Sequence, residues 1–77
     1  MNTIKERLQV IAVDHLGVNQ ADITPEATFD SLGADSLDKI ELLLAVEDAF
    51  GVEIDEAVSD KWTTIGEVEA YITSKKQ

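Results

Sequence analysis

The sequence contains no cysteine, one histidine, one proline and few aromatic residues among its 77 positions. Without cysteine, the chain has no disulfide, no thiolate metal ligand and no nucleophilic thiol of its own. No apolar run approaches the roughly 18 residues needed to cross a bilayer, and Lys5, Glu6 and Arg7 fall where a secretory signal would need an apolar run. We therefore expect a soluble cytoplasmic protein without membrane insertion, whose thiol chemistry, if any, is supplied from outside.

Basic residues are also scarce, with six Lys and Arg against 16 Asp and Glu, which gives a formal net charge of -10. Between Asp22 and Asp60 the sequence has twelve acidic residues and one basic residue, Lys39. Such a segment repels nucleic acid and favours partners with basic patches. The alternative is that the acidic surface only keeps a small domain in solution.

Helical periodicity accounts for most of the chain. The spacing of apolar residues predicts helices over 2–16 and 36–50 and a last helix near the C-terminus, with a short segment over 55–61 before it. Thr3 with Glu6 and Thr64 with Glu67 have the spacing of capping boxes at the starts of the first and last helices, and Gly17 and Gly51 are the expected C′ residues of the first two. The connection over 18–35 has apolar residues of its own, so we expect it to be ordered. These elements predict one all-α domain spanning 1–77, a small antiparallel four-helix bundle with three longer helices and one short third helix.

Ser36 stands at the predicted start of the second helix, where Asp35 is a good N-cap residue and Asp38 falls in the first turn. A helix start exposes unpaired N–H groups and the positive end of the peptide dipoles, so a phosphate attached to Ser36 would be favoured. As a nucleophile Ser36 would need a base, and the only histidine, His15, lies on another predicted helix. We therefore expect no enzymatic activity.

The acidic stretch does not match a calcium-binding loop. Asp30 and Glu41 have the outer spacing of such a loop, but Leu32 and Ala34 occupy ligand positions and Asp35 stands where the loop needs glycine. We predict no metal site within the chain, although diffuse binding of divalent cations to so many carboxylates is compatible with the sequence.

The second helix carries two apolar stripes. One is predicted to face inward, and its residues are Leu42, Leu43, Val46 and Phe50. The other consists of Leu37, Ile40 and Leu44 and is flanked by acidic residues. This second stripe is either additional core or an apolar docking surface rimmed by carboxylates.

The segment Gly33-Ala34-Asp35-Ser36-Leu37 resembles the modification motif of acyl carrier proteins. The similarity covers essentially the whole chain and continues through Ile40-Glu41-Leu42, Glu47-Asp48, Phe50, Glu53-Ile54, Thr63-Thr64 and Tyr71-Ile72. The resemblance implies that Ser36 carries 4′-phosphopantetheine through a phosphodiester, installed from coenzyme A by a magnesium-dependent phosphopantetheinyl transferase. It also implies that Asp35 helps to position the transferase, its magnesium or the arm.

The resemblance further implies a monomeric, discrete carrier of acyl thioesters in bacterial type II fatty-acid synthesis. The alternative is a carrier of a dedicated polyketide, peptide or lipid-precursor pathway. Partners would be fatty-acid synthase enzymes and acyltransferases with basic docking patches. The residues implied to recognise them are Leu37, Asp38, Ile40, Glu41, Leu44, Glu47, Asp48 and Glu53. The residues implied to line an acyl pocket are Phe29, Leu32, Val46, Ile54, Val58, Trp62, Val68 and Tyr71.

Two features depart from the family pattern. Only Asp30 and Ser31 separate Phe29 from Leu32, which is one residue fewer than the family usually has. Trp62 stands where a smaller aliphatic residue is common, so the indole either fills the core or shortens the acyl pocket.

Overall fold

The computed structural model describes residues 3–76 as a helical bundle. Its helices are α1 (Ile4–Leu16), α2 (Ser36–Phe50), α3 (Glu56–Ser59) and α4 (Ile65–Lys76). A 3-10 turn, Gln20–Asp22, lies in the connection between α1 and α2, and the described residues contain no strand beyond one isolated bridge between Thr28 and Thr64. The predicted all-α bundle with a short third helix is confirmed. Asn2, where the first helix was predicted to begin, lies outside the described residues.

Local sequence signals set the ends of the first two helices. The Thr3 hydroxyl accepts a hydrogen bond from the Glu6 N–H at 3.1 Å, and the Glu6 carboxylate accepts one from the Thr3 N–H at 3.0 Å. This reciprocal capping box begins α1. Gly17 and Gly51 end α1 and α2 with φ of +67°, a left-handed conformation that glycine adopts without steric cost.

The core is built from one face of each long helix together with the connection between α1 and α2. Its largest fully buried side chains are Leu8, Ile23, Leu42, Val46, Val68 and Ile72. Phe29 and Leu32 of the connection are also buried, so this segment is ordered as expected. None of the helices in the described part of the chain is both long and apolar enough to span a membrane.

The C-terminal end of α2 is stabilised by basic residues from its neighbours. The last turn of α2 contains no basic residue of its own. The Arg7 guanidinium donates to the Ala49 carbonyl at 2.8 Å and lies 4.3 Å from the centroid of the Phe50 ring, and Lys76 Nζ donates to the Phe50 carbonyl at 3.0 Å. Both cations therefore complement the negative end of the α2 dipole.

These contacts also define helix directions. Because the start of α1 and the end of α4 both reach the end of α2, α1 runs antiparallel to α2 while α4 runs in the same direction as α2. The antiparallel arrangement predicted from the sequence therefore holds for α1 and α2 but not for α2 and α4. At the opposite end, Lys39 Nζ near the start of α2 donates to the carbonyl of Trp62, just before α4, at 2.7 Å. Segment 51–64, which includes α3, therefore returns along the length of α2.

The start of α4 holds the long connection in place. The Phe29 N–H donates to the Thr63 carbonyl, and the N–H groups of Ile65 and Gly66 donate to the carbonyls of Ala27 and Pro25, each at 3.0 Å. These backbone bonds fix residues 25–29 beside residues 63–66. The loop that leads to Ser36 is therefore anchored at a point remote in sequence.

Glu67 holds residues 63 and 64, just before α4, in place. Its Oε1 accepts hydrogen bonds from the N–H groups of Thr63 and Thr64 at 2.8 and 3.0 Å, as the second predicted capping box requires. The backbone hydrogen bonds from Thr63 and Thr64 lower the pKa of the Glu67 carboxyl.

A Glu67→Gln variant tests this arrangement through its pH dependence. A carboxyl whose pKa is lower in the folded state contributes stability above its unfolded-state pKa and loses it as pH falls through the folded-state pKa. We therefore expect Glu67→Gln to lower the melting temperature at neutral pH and to have little effect under strongly acidic conditions. Melting curves of both proteins across this range check it, with exposed Glu26→Gln as the control; parallel pH profiles would contradict it.

Candidate functional site

Ser36 is the first residue of α2, and its side chain is exposed. Asp35 is the N-cap residue: its Oδ1 accepts from the Asp38 N–H at 2.9 Å, and the Asp38 carboxylate accepts from the Asp35 N–H at 3.2 Å. Within residues 3–76, the N–H groups of Ser36 and Leu37 have no hydrogen-bond acceptor. The helix start is thus fixed by Asp35 and Asp38, while two N–H donors remain available beside the Ser36 hydroxyl.

The hydroxyl of the nearby Ser31, in contrast, is already hydrogen-bonded within the protein. Its hydroxyl accepts from the Thr28 N–H at 3.1 Å and donates to the Thr28 carbonyl at 2.9 Å. The Ser36 hydroxyl makes no hydrogen bond to any described residue. Of these two serines, Ser36 is therefore the one whose oxygen can be modified without breaking internal hydrogen bonds.

The shortened loop between Phe29 and Leu32 forms a tight turn. The Leu32 N–H donates to the Thr28 carbonyl at 3.1 Å, and the Ala34 N–H donates to the Phe29 carbonyl at 2.9 Å. Phe29, Leu32 and Ala34 are all buried. The turn therefore brings the chain to Ser36 with its apolar side chains packed into the bundle.

An open groove extends from Ser36 along α2. Next to Ser36 lies a depression of about 480 Å³ that Phe29, Lys39 and Trp62 help to line. A second depression, of about 260 Å³, lies farther along between α2 and α3. A third of about 220 Å³ shares Ser36 and Lys39 with the first, and Ile40 and Leu43 with the second. The three together form a continuous surface, which we call the α2–α3 groove.

The residues that the resemblance implies for an acyl pocket do not all border this groove. Phe29, Trp62 and Ile54 line it. Val46 and Val68 are fully buried in the core, and Leu32 is also buried. Val58 on α3 is 39% exposed, and Tyr71 lines a separate depression with Ile54.

The second stripe of α2 lies on the surface. Leu37, Ile40 and Leu44 are 62%, 54% and 59% exposed, so they are not additional core. Glu41 and Asp48 on the same helix are exposed, as is Glu53 after it. We call this combination of apolar and acidic residues the α2 face.

Two residues implied to recognise partners also have internal roles. The Glu47 carboxylate accepts a hydrogen bond from the Ile54 N–H at 2.9 Å and so ties the loop before α3 to α2. Asp38 belongs to the capping box described above. Neither role appears in the amphipathic pattern, because each depends on a backbone group that the carboxylate reaches in the folded chain.

Leu43 and Ser59 are among the groove residues that sequence reasoning missed. Leu43 was assigned to the core, yet it lines the groove while remaining buried. Ser59 is the one buried polar residue among those described, and its hydroxyl donates to the Glu56 carbonyl at 3.2 Å. The position of Ser59 facing α2 has no sequence signal, since α3 is only four residues long.

The remaining candidates for chemistry are not assembled into a site. His15 is exposed in the last turn of α1. Among the described residues, no three His, Cys, Asp or Glu side chains are grouped as metal ligands would be.

A helical bundle that presents one unbonded serine at a helix start, beside an open groove and an exposed apolar and acidic face, has the arrangement of a carrier domain. The family model for the phosphopantetheine attachment site matches residues 6–72, and the chain belongs to this family. The domain is the site of covalent 4′-phosphopantetheine attachment. A carrier of this kind interacts with a phosphopantetheinyl transferase and with enzymes that act on its cargo.

The residues around Ser36 fit such a group. The available N–H groups of Ser36 and Leu37 suit a phosphate oxygen. The adjoining depression is open to solvent, with apolar walls at Phe29 and Trp62. The local structure thus accommodates both the anionic and the organic parts of the arm.

Proposed function

We propose that Ser36 is the attachment residue and that the chain is a non-catalytic carrier of acyl thioesters for fatty-acid synthesis. The observation that carries this proposal is the exposed, internally unbonded Ser36 hydroxyl at the first position of α2. When attached, 4′-phosphopantetheine supplies the terminal thiol that the cysteine-free chain lacks.

The chain's own residues prepare the attachment point. The capping box of Asp35 and Asp38 fixes the start of α2, so the N–H groups of Ser36 and Leu37 point out of the helix end. A phosphodiester on Ser36 is favoured there by these donors and by the helix dipole. Asp35 acts on the arm through this cap, and its exposed carboxylate edge is available to the transferase.

The α2 face supports docking by enzymes with basic patches. Its exposed Leu37, Ile40 and Leu44 offer an apolar contact, and the acidic residues around them attract Lys and Arg. The formal charge of -10 speeds encounter with such partners in a salt-dependent way. The proposed recognition residues are Leu37, Asp38, Ile40, Glu41, Leu44, Glu47, Asp48 and Glu53.

The α2–α3 groove is the proposed entrance for the acyl chain. Phe29 and Trp62 lie at its Ser36 end, and Ile54 lies at its far end. Val46 and Val68 are fully buried in the core, so an acyl chain reaches them only where the helices separate. Leu32, Val58 and Tyr71 complete the proposed set.

Mass spectrometry tests the attachment residue. After incubation with coenzyme A, magnesium and a phosphopantetheinyl transferase, we expect one phosphopantetheine mass on the unaltered chain and none on Ser36→Ala. Ser31→Ala is the matched control and is expected to be modified normally, because that hydroxyl is engaged by Thr28. Modification of Ser36→Ala would refute the proposal. Absence of modification on the unaltered chain would also refute it and would favour the alternative, an acidic interaction module that carries no prosthetic group.

The thioesters present on the protein purified from its source test the pathway. Saturated fatty-acyl chains and their biosynthetic intermediates are expected on Ser36. Polyketide, aminoacyl or specialised lipid-precursor thioesters would instead assign the carrier to a dedicated pathway.

A further inference from the structure

Lys39 occupies an unusual electrostatic position. It is the one basic residue between Asp22 and Asp60 and stands three positions after Ser36 on α2. Side chains three apart on a helix are neighbours, with Cβ atoms about 5–6 Å apart. Among the described residues, the depression beside Ser36 is bordered by the acidic residues Asp30, Asp35 and Asp60 and by a single basic residue, Lys39.

The Lys39 ammonium is held in place by the opposite wall. Its Nζ donates to the Trp62 carbonyl at 2.7 Å and lies 5.3 Å from the centroid of the Phe29 ring. The side chain is half-buried and lines both depressions that meet at Ser36. An ammonium has three N–H donors, so the bond to Trp62 leaves two available.

A phosphodiester on Ser36 would add a negative charge among these carboxylates. The helix start offsets part of that repulsion, and a positive group within one turn offsets more. We propose that Lys39 is the positioning residue that pairs with the phosphodiester on Ser36 and directs the arm toward the α2–α3 groove. This inference rests on the proposed attachment at Ser36.

The test separates pairing with the phosphodiester from a purely structural bridge to Trp62. Melting temperatures are measured before and after phosphopantetheine loading for the unaltered chain and for Lys39→Gln, Lys39→Arg and Lys61→Gln. Peptide mapping first identifies the loaded residue. Lys61→Gln makes the same charge change at an exposed position outside the depressions beside Ser36.

Phosphopantetheine loading changes the melting temperature of each protein, and we expect this change to be about 3 °C more favourable for the unaltered chain than for Lys39→Gln. A difference of this size is typical of one exposed charge pair in a small domain. Lys39→Arg is expected to retain most of this difference, and Lys61→Gln to match the unaltered chain. A bridge to Trp62 alone would shift the loaded and unloaded forms of Lys39→Gln equally, which would overturn the inference while leaving the carrier function intact.

A second protein sample tests the role of Lys39 without using the transferase. Phosphoserine incorporated at position 36 during synthesis places a phosphate at the same oxygen, and Lys39→Gln is expected to lower the melting temperature of that protein more than it lowers that of the Ser36 form. Equal effects would overturn the inference. Loading at a residue other than Ser36, or no loading at all, would refute the proposed attachment and the role of Lys39 with it.

Discussion

Replacing Gly66 with alanine is expected to lower the free energy of unfolding by about 2 kcal/mol, as overpacking a tight contact typically does. That is a large part of the roughly 5 kcal/mol expected for so small a domain. In an open helix position the same change would be favourable, because alanine is a better helix former than glycine by about 1 kcal/mol. At Gly66 the change in stability has the opposite sign, because a backbone contact leaves no room for the alanine side chain.

The contact involves the long connection. A Cβ atom on Gly66 would lie 2.7 Å from the Pro25 carbonyl oxygen and 3.3 Å from the Pro25 Cβ. The Gly66 N–H also donates to that carbonyl at 3.0 Å, so the two backbones must approach closely. An alanine would push residues 25–29 away from α4 and weaken the neighbouring backbone bonds to Thr63 and Ile65.

Chemical denaturation of Gly66→Ala checks this expectation. Ser74→Ala is the control, because it introduces alanine at an exposed position of the same helix and is expected to be neutral or slightly stabilising. A Gly66→Ala protein as stable as the unaltered chain would show that the Pro25 contact is not required. Amide chemical shifts are also expected to change around Phe29 and Ser36, since the displaced loop leads directly to the site.

The elements that sequence reasoning predicted correctly are those with short-range causes. The Thr3–Glu6 capping box, the glycines after α1 and α2, and the start of α2 at Ser36 all depend on residues within four positions of each other. The inward stripe of α2 follows from helical spacing alone. Such features are determined by residues close together in the sequence, so their prediction requires no knowledge of the tertiary structure.

The features that escaped prediction depend on partners seven or more residues apart in the sequence. Lys39 reaches the Trp62 carbonyl, Glu47 reaches the Ile54 N–H, and Gly66 admits Pro25. Each partner group is a backbone N–H or carbonyl, and its role in the fold is not signalled by the type of residue that carries it. The periodicity of α2 likewise left open whether its second stripe was core, because the answer depends on which helices cover it.

Trp62 is expected to limit the length of acyl chain that the bundle shelters. Its side chain is only 8% exposed, and its ring lies 5.2 Å from that of Tyr71 at an angle of 60°. It therefore fills core, as one interpretation of the sequence held, and it also lines the groove beside Ser36. Shortening this side chain opens space where an acyl chain on the Ser36 arm would enter.

For Trp62→Leu we expect a loss of about 2 kcal/mol in stability and better retention of longer acyl chains. The loss is smaller than the 3–5 kcal/mol typical of truncating a buried tryptophan to alanine, because leucine refills part of the space. Each additional methylene that the enlarged space buries is worth about 0.8 kcal/mol, or roughly a fourfold shift toward the sheltered state.

The rate of thioester cleavage by hydroxylamine, measured over a series of acyl chains of increasing length, reports this shift. Long-chain thioesters on Trp62→Leu are expected to be cleaved several-fold more slowly than on the unaltered chain, with short chains unaffected. Phe50→Leu is the matched control, since it truncates a buried aromatic side chain that does not line the groove. Equal cleavage rates in Trp62→Leu and Phe50→Leu would show that the indole fills core without setting the length of the pocket.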